Sequence, residues 1–594
     1  MLFVFSIALA SGIWDYIKIP YNLEKQIIGE DYLLNLHNPI NDTIRFIIFL
    51  GIPFLTLIIF FQISEKNILS HFKQIIFQNN KNLDIKDITL NKFFFFFLVL
   101  IIVEFFILDF TNFDYKIDIF HEGLWLSASQ NSKLEENFWI STYIGRGFFG
   151  NFHPYFIWKL FGLETIGIVR FSHLVLIFFN KILLLMVARK IALMVDLKNE
   201  IKIIFFILLS VSFLYFTSYG EPIFFIRSFL LLLFLLILLN FLSKYNSNKI
   251  TIISIGLFSS ISLFWYIDIG IYINFTIVAL SIFFLVRREF KNFLFLNFSV
   301  LFGWSLIYLL FPHSELIAFF NNSLLIISTI EYIGGLIYPT PFLQDFRSTK
   351  ALFLFLVTGF LIIISIKDLN KKNLTFLISI LFMFFVSLLF FRYGLNRSDS
   401  PHIRIAQSFA YLPFFSLIFY LTLKKFEKKI KFNKFIKFTS LSLFILFIVI
   451  EKKHESKNFI NITNSISSIQ KLVNFEDKVF LNEDYNSFIS YYKNLTLKDS
   501  CITTFTNEVA ISYFLKKPTC SKFYTMYVAT PNRIQNELIK DINSKKPNFL
   551  IYNSSLDLYS GNIQRLKLVN KFITSNYRFY EKFKHWEIYK INDF

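Results

Sequence analysis

Cysteine is nearly absent from this chain, since Cys501 and Cys520 are the only two among 594 residues. Two cysteines exclude a scaffold held together by many disulfides. The sequence also lacks an internal repeat and a low-complexity linker. Helix–turn–helix, zinc-finger and RNP patterns are missing too, so the net charge of +19 does not indicate a nucleic-acid-binding protein.

Apolar residues dominate the composition. They make up 55% of the chain, and the mean hydropathy is +0.54, whereas soluble domains lie near 45–50% apolar. A spanning helix needs about 20 mainly apolar residues. The sequence therefore predicts an integral membrane protein with about thirteen spans, at 2–17, 46–63, 92–109, 166–188, 203–219, 223–243, 250–267, 269–286, 292–311, 351–366, 373–391, 402–422 and 436–451.

The distribution of Lys and Arg predicts the orientation of these spans. Basic residues crowd into one set of alternate connections, which places that set in the cytoplasm. With thirteen spans and the N-terminus inside, the tail from about residue 453 lies outside. Cys501 and Cys520 both belong to this tail, where a disulfide can persist, so we predict a single bridge between them.

Three parts follow along the chain. Residues 1–90 hold the first transmembrane segments and a cytoplasmic loop, and residues 91–452 form a transmembrane core with outer loops 110–165, 312–350 and 392–401. In residues 453–594, strand-like runs alternate with helix-like stretches, which predicts an extracytoplasmic α/β domain. The predicted strands are 478–482, 501–505, 548–552 and 585–591, and the predicted helices are 507–516 and 532–545.

An acidic cluster follows the span at 92–109: Asp114, Asp118, His121 and Glu122 lie within nine residues. Charge beside a hydrocarbon layer is expensive, so this cluster indicates a working site. A helical turn would place Asp118 and Glu122 on one face. Such a group can remove a proton from an acceptor hydroxyl, or hold a divalent cation such as Mg or Mn, although no spacing demands a metal.

A second constellation occupies the outer turn at 392–404. Arg392, Arg397 and Arg404 cluster there, with Asp399 and His402 between them. The forked donors of arginine suit phosphate, so this turn predicts a phosphate or pyrophosphate site.

Other outer segments supply three more candidate substrate-binding residues. Arg146 and His153 continue the first outer loop, and Asp268 lies in the turn between the seventh and eighth spans. The apolar middle of loop 312–350 predicts a helix lying in the membrane interface. Gly334 and Gly335 follow that stretch and could act as its hinge.

Taken together, these features resemble the GT-C membrane glycosyltransferases, which include the protein O-mannosyltransferases and the lipid A aminoarabinose transferases. The stretch TFTNEVAISYFLKKPTC and the later RIQNELIKDINSKKPNFLIY are similar to the C-terminal region of bacterial members. One departure is that two apolar segments, 2–17 and 46–63, precede the span that the family places first.

The resemblance implies an enzyme that passes a sugar from a polyprenyl-phosphate carrier to an extracytoplasmic acceptor, which is a glycan, lipid or protein. It implies Asp118 as the base, Glu122 as alternative or partner, and the Arg397 region as the site of the carrier phosphate. It also implies the bacterial inner membrane, with a periplasmic C-terminal domain.

Three alternatives remain open. An O-antigen-type ligase or polymerase also uses outer arginine and histidine residues. A transporter or flippase of lipid-linked glycans would place charges in broken helices near mid-membrane, whereas here they lie at the outer ends of spans. A structural membrane protein is the third.

Overall fold

The computed structural model describes residues 1–21, 35–65, 68–77, 88–143, 147–217, 222–243, 249–367, 373–427, 462–552 and 565–592. Long apolar helices form most of the chain up to residue 427. A helix satisfies its own backbone hydrogen bonds, which a bilayer core cannot do. The helices of this part are α1 (Leu2–Trp14), α2 (Ile40–Glu65), α3 (Ile68–Phe77), α4 (Ile88–Phe106), α5 (His121–Glu135), α6 (Phe148–Phe161), α7 (Ile166–Met194), α8 (Asn199–Thr217), α9 (Pro222–Ser243), α10 (Lys249–Trp265), α11 (Ile267–Val286), α12 (Phe290–Leu310), α13 (His313–Gly334), α14 (Phe346–Lys367), α15 (Leu374–Asn396), α16 (Ser400–Ala406) and α17 (Tyr411–Glu427).

Within the described ranges, nine helical stretches are long and apolar enough to cross a membrane: Ile40–Ser64, Thr89–Phe106, Ile166–Met194, Ile267–Val286, Phe290–Leu310, His313–Gly334, Phe346–Ile366, Leu374–Asn396 and Ser400–Glu427. Twelve of the thirteen predicted segments fall on described helices. The thirteenth, 436–451, lies outside the described residues. The predicted polytopic helical class is therefore confirmed, but the count of thirteen is not.

Helix α13, in the predicted interface segment, packs against the first outer loop. The carboxylate of Glu315 accepts the backbone N–H groups of Phe138 and Trp139 at 3.1 and 2.8 Å, and Asn322 donates to the carbonyl of Trp139 at 2.9 Å. Ile326 belongs to the hydrophobic cluster of the C-terminal domain. On this helix Ile317, Phe320, Leu324 and Ile327 remain exposed, which leaves an apolar surface beside the buried contacts.

In the described part of the C-terminal domain, residues 462–552 and 565–592, five helices accompany one four-stranded sheet. The strand order is β1-β2-β4-β3, with β1 parallel to β2 and the other pairs antiparallel. The predicted α/β character is confirmed. The elements are α18 (Ile462–Asn474), α19 (Glu483–Leu495), β1 (Thr504–Phe505), α20 (Ile511–Leu515), α21 (Asn532–Lys545), β2 (Phe549–Tyr552), α22 (Lys567–Asn576), β3 (Tyr577–Phe583) and β4 (Trp586–Ile591).

The strand predicted at 478–482 is wrong. The structure has a 3-10 turn at Asp477–Phe480, with Phe480 buried. The carbonyl of Phe480 accepts the N–H of Ile117 at 2.9 Å. This apolar run therefore supports the first outer loop and does not enter the sheet.

Candidate active site

Asp118 and His121 form a hydrogen-bonded pair at the start of α5. Asp118 Oδ1 accepts the backbone N–H groups of Phe120 and His121 at 3.0 and 2.7 Å, and Oδ2 accepts Nδ1–H of His121 at 2.7 Å. The side chains of His121 and Asp118 are 52% and 51% exposed. With Nδ1 bound to the carboxylate, Nε2 of His121 is the ring nitrogen directed away from it.

These bonds keep Asp118 ionised. Burial acts to raise the pKa of Asp118, but the hydrogen bonds from His121 and Phe120 outweigh it and lower the pKa below its ordinary value. The pair therefore presents a carboxylate with a fixed imidazole to solvent at neutral pH.

Glu122 lies in a different environment. Arg170 of α7 donates Nε–H to Oε1 and Nη2–H to Oε2, both at 2.8 Å, and the N–H of Asp118 donates to Oε2 at 2.9 Å. Nη1 of Arg170 also donates to the carbonyls of Phe113 and Tyr115 at 2.7 Å. Glu122 therefore ties the loop to a buried guanidinium. Arg170 lies inside an apolar run far along the chain, and no sequence signal marked it.

The C-terminal domain braces this loop from the other side. The N–H of Ala510 donates to the carbonyl of Ile119 at 3.1 Å, and Ser127 Oγ donates to the carbonyl of Val509 at 2.6 Å. The backbones approach so closely that a Cβ on Gly123 would stand 2.5 Å from the nitrogen of Ala510. Glycine at 123 is what permits this contact.

Ala510 belongs to a segment closed by the structure's disulfide. Cys501 and Cys520 are joined, with an S–S distance of 2.06 Å. Asn131 on α5 donates Nδ2–H to Thr519 Oγ1 at 2.7 Å and accepts the N–H of Thr519 at 3.0 Å. The bridged segment therefore contacts α5 near its middle, at Val509 and Ala510, and at its C-terminal end, at Thr519.

Arg397, Asp399 and His402 form a second group. Arg397 donates Nε–H to Asp399 Oδ2 at 2.8 Å, and Asp399 Oδ1 accepts both the backbone N–H and the ring Nδ1–H of His402. Burial acts to raise the pKa of Asp399, but the hydrogen bonds from His402 and Arg397 lower it well below the ordinary range. This anion fixes the guanidinium of Arg397 in one orientation.

Asp268 joins this group through Arg227, which is partly buried. Asp268 Oδ2 lies 3.2 Å from Nε of Arg227. The guanidinium of Arg227 stacks 4.6 Å from the ring centroid of Tyr393 and 5.2 Å from that of Tyr266. The Tyr393 ring also lies 5.0 Å from the ring of His402. The structure thus brings Asp268 and the 392–404 turn together. Arg227, in the span predicted at 223–243, gave no signal of its own.

Arg392 and Arg404, the other two arginines of the turn, lie in environments different from that of Arg397. Arg392 pairs with Glu331 of α13 and donates to the hydroxyl of Thr43 on α2. It therefore connects three helices. Arg404 is exposed on α16, and Arg146 lies outside the described residues.

His153 and Asp114 lie apart from both groups. His153 is buried on α6, with its Nε2 at 2.5 Å from Nε2 of His173 and its Nδ1–H donated to the carbonyl of Phe149 at 3.1 Å. Burial lowers the pKa of His153 to about 3, so it is neutral. The His153–His173 pair packs beneath Trp125 of α5. Asp114 is exposed at the end of the turn that precedes the loop.

Tyr527 of the C-terminal domain connects the two groups. Its ring centroid lies 6.0 Å from that of Phe120, the neighbour of His121. Its hydroxyl accepts Nη1–H of Arg397 at 3.3 Å. The carboxylate loop, the arginine turn and the C-terminal domain therefore meet around this side chain.

A divalent cation does not fit the donor set at 118–122. The oxygens of Asp118 accept N–H groups, and those of Glu122 accept Arg170 and the Asp118 amide. Among the residues that the structure describes, no three His, Cys, Asp or Glu side chains form a metal-binding group.

No protein-family model matches this chain, and no curated protein matches it. Solved structures are similar to it. ArnT from Cupriavidus metallidurans bound to undecaprenyl phosphate has a TM-score of 0.42 and 10% identity, over 83% of this chain and 97% of that one. AglB, the archaeal oligosaccharyltransferase from Archaeoglobus fulgidus, in complex with an inhibitory peptide and a dolichol-phosphate, has a TM-score of 0.41 and 10% identity, over 79% and 70%.

The apo form of the Archaeoglobus fulgidus oligosaccharyltransferase has a TM-score of 0.44 and 11% identity, over 80% of this chain and 71% of that one. AglB and ArnT are both GT-C enzymes, the class that the sequence resembles.

Proposed function

We propose that this protein is a GT-C-type glycosyltransferase, which moves a sugar from a polyprenyl-phosphate carrier to an acceptor outside the cytoplasm. The observation that carries the proposal is that Tyr527 contacts two segments with different chemistry. It packs on Phe120, which lies in the loop of the Asp118–His121 pair, and it accepts a hydrogen bond from Arg397 of the Arg397–Asp399–His402 cluster.

The arginine cluster suits the carrier phosphate. When the bond between the anomeric carbon and the phosphate oxygen breaks, negative charge grows on that oxygen, and a fixed cation stabilises it with little reorganisation. Asp399 holds Nε of Arg397 at 2.8 Å, whereas Nη1 makes longer contacts of 3.3 and 3.5 Å to Tyr527 and to the carbonyl of Gly334. A phosphate oxygen would bind Nη1 more closely than either of these groups.

The Asp118–His121 pair suits the acceptor. As the acceptor oxygen bonds to the anomeric carbon, its proton must leave, and a carboxylate or imidazole within about 3 Å can take it. Asp118 is ionised, and it orients the imidazole so that Nε2 points outward. Glu122 is a positioning residue that acts on this pair through Arg170 and the Asp118 amide.

The surroundings of the site favour an extracytoplasmic face. The disulfide lies in the same C-terminal domain that braces the carboxylate loop, and disulfides persist in oxidising compartments. We place the protein in a bacterial inner membrane with this domain in the periplasm.

The test is sugar transfer from radiolabelled polyprenyl-phosphate sugars in membranes that express wild type, Asp118→Asn or Arg397→Ala. We expect D118N to slow transfer by about 10²- to 10⁴-fold, since it removes the pair that accepts the proton. R397A should raise the donor KM by more than about tenfold. Glu136→Gln, an exposed change after α5, is the matched control and should keep wild-type turnover.

Substitution of His121 by Gln tests whether the imidazole or the Asp118 carboxylate takes the proton of the acceptor. A loss as large as that of D118N places the proton on the imidazole, whereas a loss below about tenfold places it on the carboxylate. Equal transfer by wild type, D118N and R397A would reject this site. Failure of wild type with every lipid-linked donor, combined with carrier movement across vesicles, would favour the flippase.

A further inference from the structure

Buried neighbours in the C-terminal domain hold the backbone of Tyr527 in place. Tyr527 lies in the 3-10 turn Met526–Val528, whose two flanking side chains are buried. The buried Arg565 donates Nη2–H to the carbonyl of Tyr527 at 3.4 Å, and its guanidinium lies 5.3 Å from the ring centroid. The hydroxyl is therefore held at a defined position next to Arg397.

The backbone of α13 makes room for this hydroxyl. A Cβ added to Gly334 would stand 1.8 Å from the oxygen of Tyr527, so no larger residue fits there without moving the ring. A parallel bridge between Leu336 and Arg397 keeps the end of α13 beside the arginine turn. Three separate segments thus fix the distance between the phenol and the guanidinium.

We infer that Tyr527 binds the phosphate group of the lipid carrier jointly with Arg397, an inference that rests on the proposed function. A phenolic hydroxyl both accepts and donates. It can accept from Nη1 of Arg397, as in the structure, and donate to a phosphate oxygen bound at the same guanidinium. The C-terminal domain then contributes a ligand to the donor site as well as a brace for the carboxylate loop.

The experiment measures binding of undecaprenyl phosphate to the full chain in nanodiscs, which needs no sugar transfer. Tyr527→Phe keeps the ring and removes only the hydroxyl. We expect about tenfold weaker binding, the size of one hydrogen bond to a charged group, and a matching rise in the donor KM with kcat nearly unchanged. Tyr580→Phe, on the exposed strand β3, is the matched control and should bind like wild type.

Two further variants separate a ligand role from a structural one. If both side chains hold the same phosphate, the Y527F/R397A double variant should bind no more weakly than R397A alone, because the phenol needs the guanidinium to place the anion. Gly334→Ala should weaken binding in the same direction as Y527F, since it displaces the hydroxyl.

Unchanged lipid affinity in Y527F would overturn the inference, as would fully additive losses in the double variant. Inorganic phosphate is a second probe. If it displaces the lipid, the phosphate group is what the site recognises, and if it binds while the lipid does not, the carrier assignment is wrong. Wild type that binds the lipid in a Tyr527-dependent way but transfers no sugar would reject the proposed function and leave this inference standing.

Discussion

At the residue scale, Asp118 and Glu122, two carboxylates four residues apart, lie in opposite environments. The side chain of Asp118 is half exposed, whereas that of Glu122 is 13% exposed and faces a guanidinium that is 3% exposed. A buried ion pair is costly to break from one side, because the remaining charge loses its partner. Exposure suits Asp118 to chemistry, and pairing suits Glu122 to holding the loop.

Substitution of Glu122 by Gln should therefore lower stability before it affects chemistry. We expect the free energy of unfolding to fall by about 1–3 kcal/mol, because the charged hydrogen bonds to Arg170 are weakened. Thermal unfolding in detergent measures the loss. Wild-type stability combined with abolished sugar transfer would contradict this assignment and make Glu122 the base.

The buried His153 should make the folded protein less stable at acidic pH. Its pKa of about 3 lies below the ordinary 6.5, so an unfolded chain takes up a proton that the folded chain excludes. Stability should therefore fall as the pH drops below about 6.5, by up to about 1.4 kcal/mol per pH unit from this residue. Unfolding midpoints at several pH values measure the slope. His153→Gln should make it shallower, whereas His313→Gln, at an exposed position, should leave it unchanged.

The contact between α5 and the disulfide-closed segment sets the geometry of the site at the element scale. The close approach at Gly123 lets Ala510 bond to Ile119, next to Asp118 in the chain. The backbone of Ala510 cannot move aside as the end of a flexible side chain can. An atom added at Gly123 therefore forces one of the two segments to shift.

A single methyl group at this contact tests its importance. Gly123→Ala should cost about 1–3 kcal/mol of stability and displace the carboxylate loop, because the added carbon overlaps the Ala510 backbone. Gly51→Ala is the matched control, since an added Cβ there meets nothing within 4 Å. Circular dichroism melts of the two variants should differ clearly. Equal melting temperatures would contradict the prediction, because they would show that α5 and the disulfide-closed segment can move apart without a loss of stability.

At the scale of the whole molecule, the predicted topology gives the protein a cytoplasmic face and an opposite, extracytoplasmic face. The distribution of basic residues predicts that the turn between α11 and α12 lies in the cytoplasm and that the C-terminal domain lies on the opposite side of the membrane. Both native cysteines are joined in a disulfide, so one added cysteine gives a specific signal.

A membrane-impermeant maleimide applied to spheroplasts should label Leu497→Cys, a position in the C-terminal domain that is 72% exposed. Lys291→Cys, exposed after the turn between α11 and α12, should react only after the membrane is permeabilised. The reverse pattern would invert the topology and place the site in the cytoplasm.

The sequence determined the helical class, the positions of most spans, the two charged turns at the ends of spans and the presence of an α/β tail. These features are local, because spans follow from apolar length, and charge at the end of a span is visible in a short window. The sequence missed Arg170 and Arg227, since each stands in an apolar run whose length alone predicts a span.

Only the tertiary structure decided which charges pair and what joins them. Glu122 meets Arg170, Asp268 meets Arg227, and Tyr527 meets Arg397 across 130 residues of chain. Partners this far apart have no shared periodicity, and their pairing depends on how helices and the C-terminal domain pack. The residues of the site were therefore partly visible in the sequence, but the division of their roles required the fold.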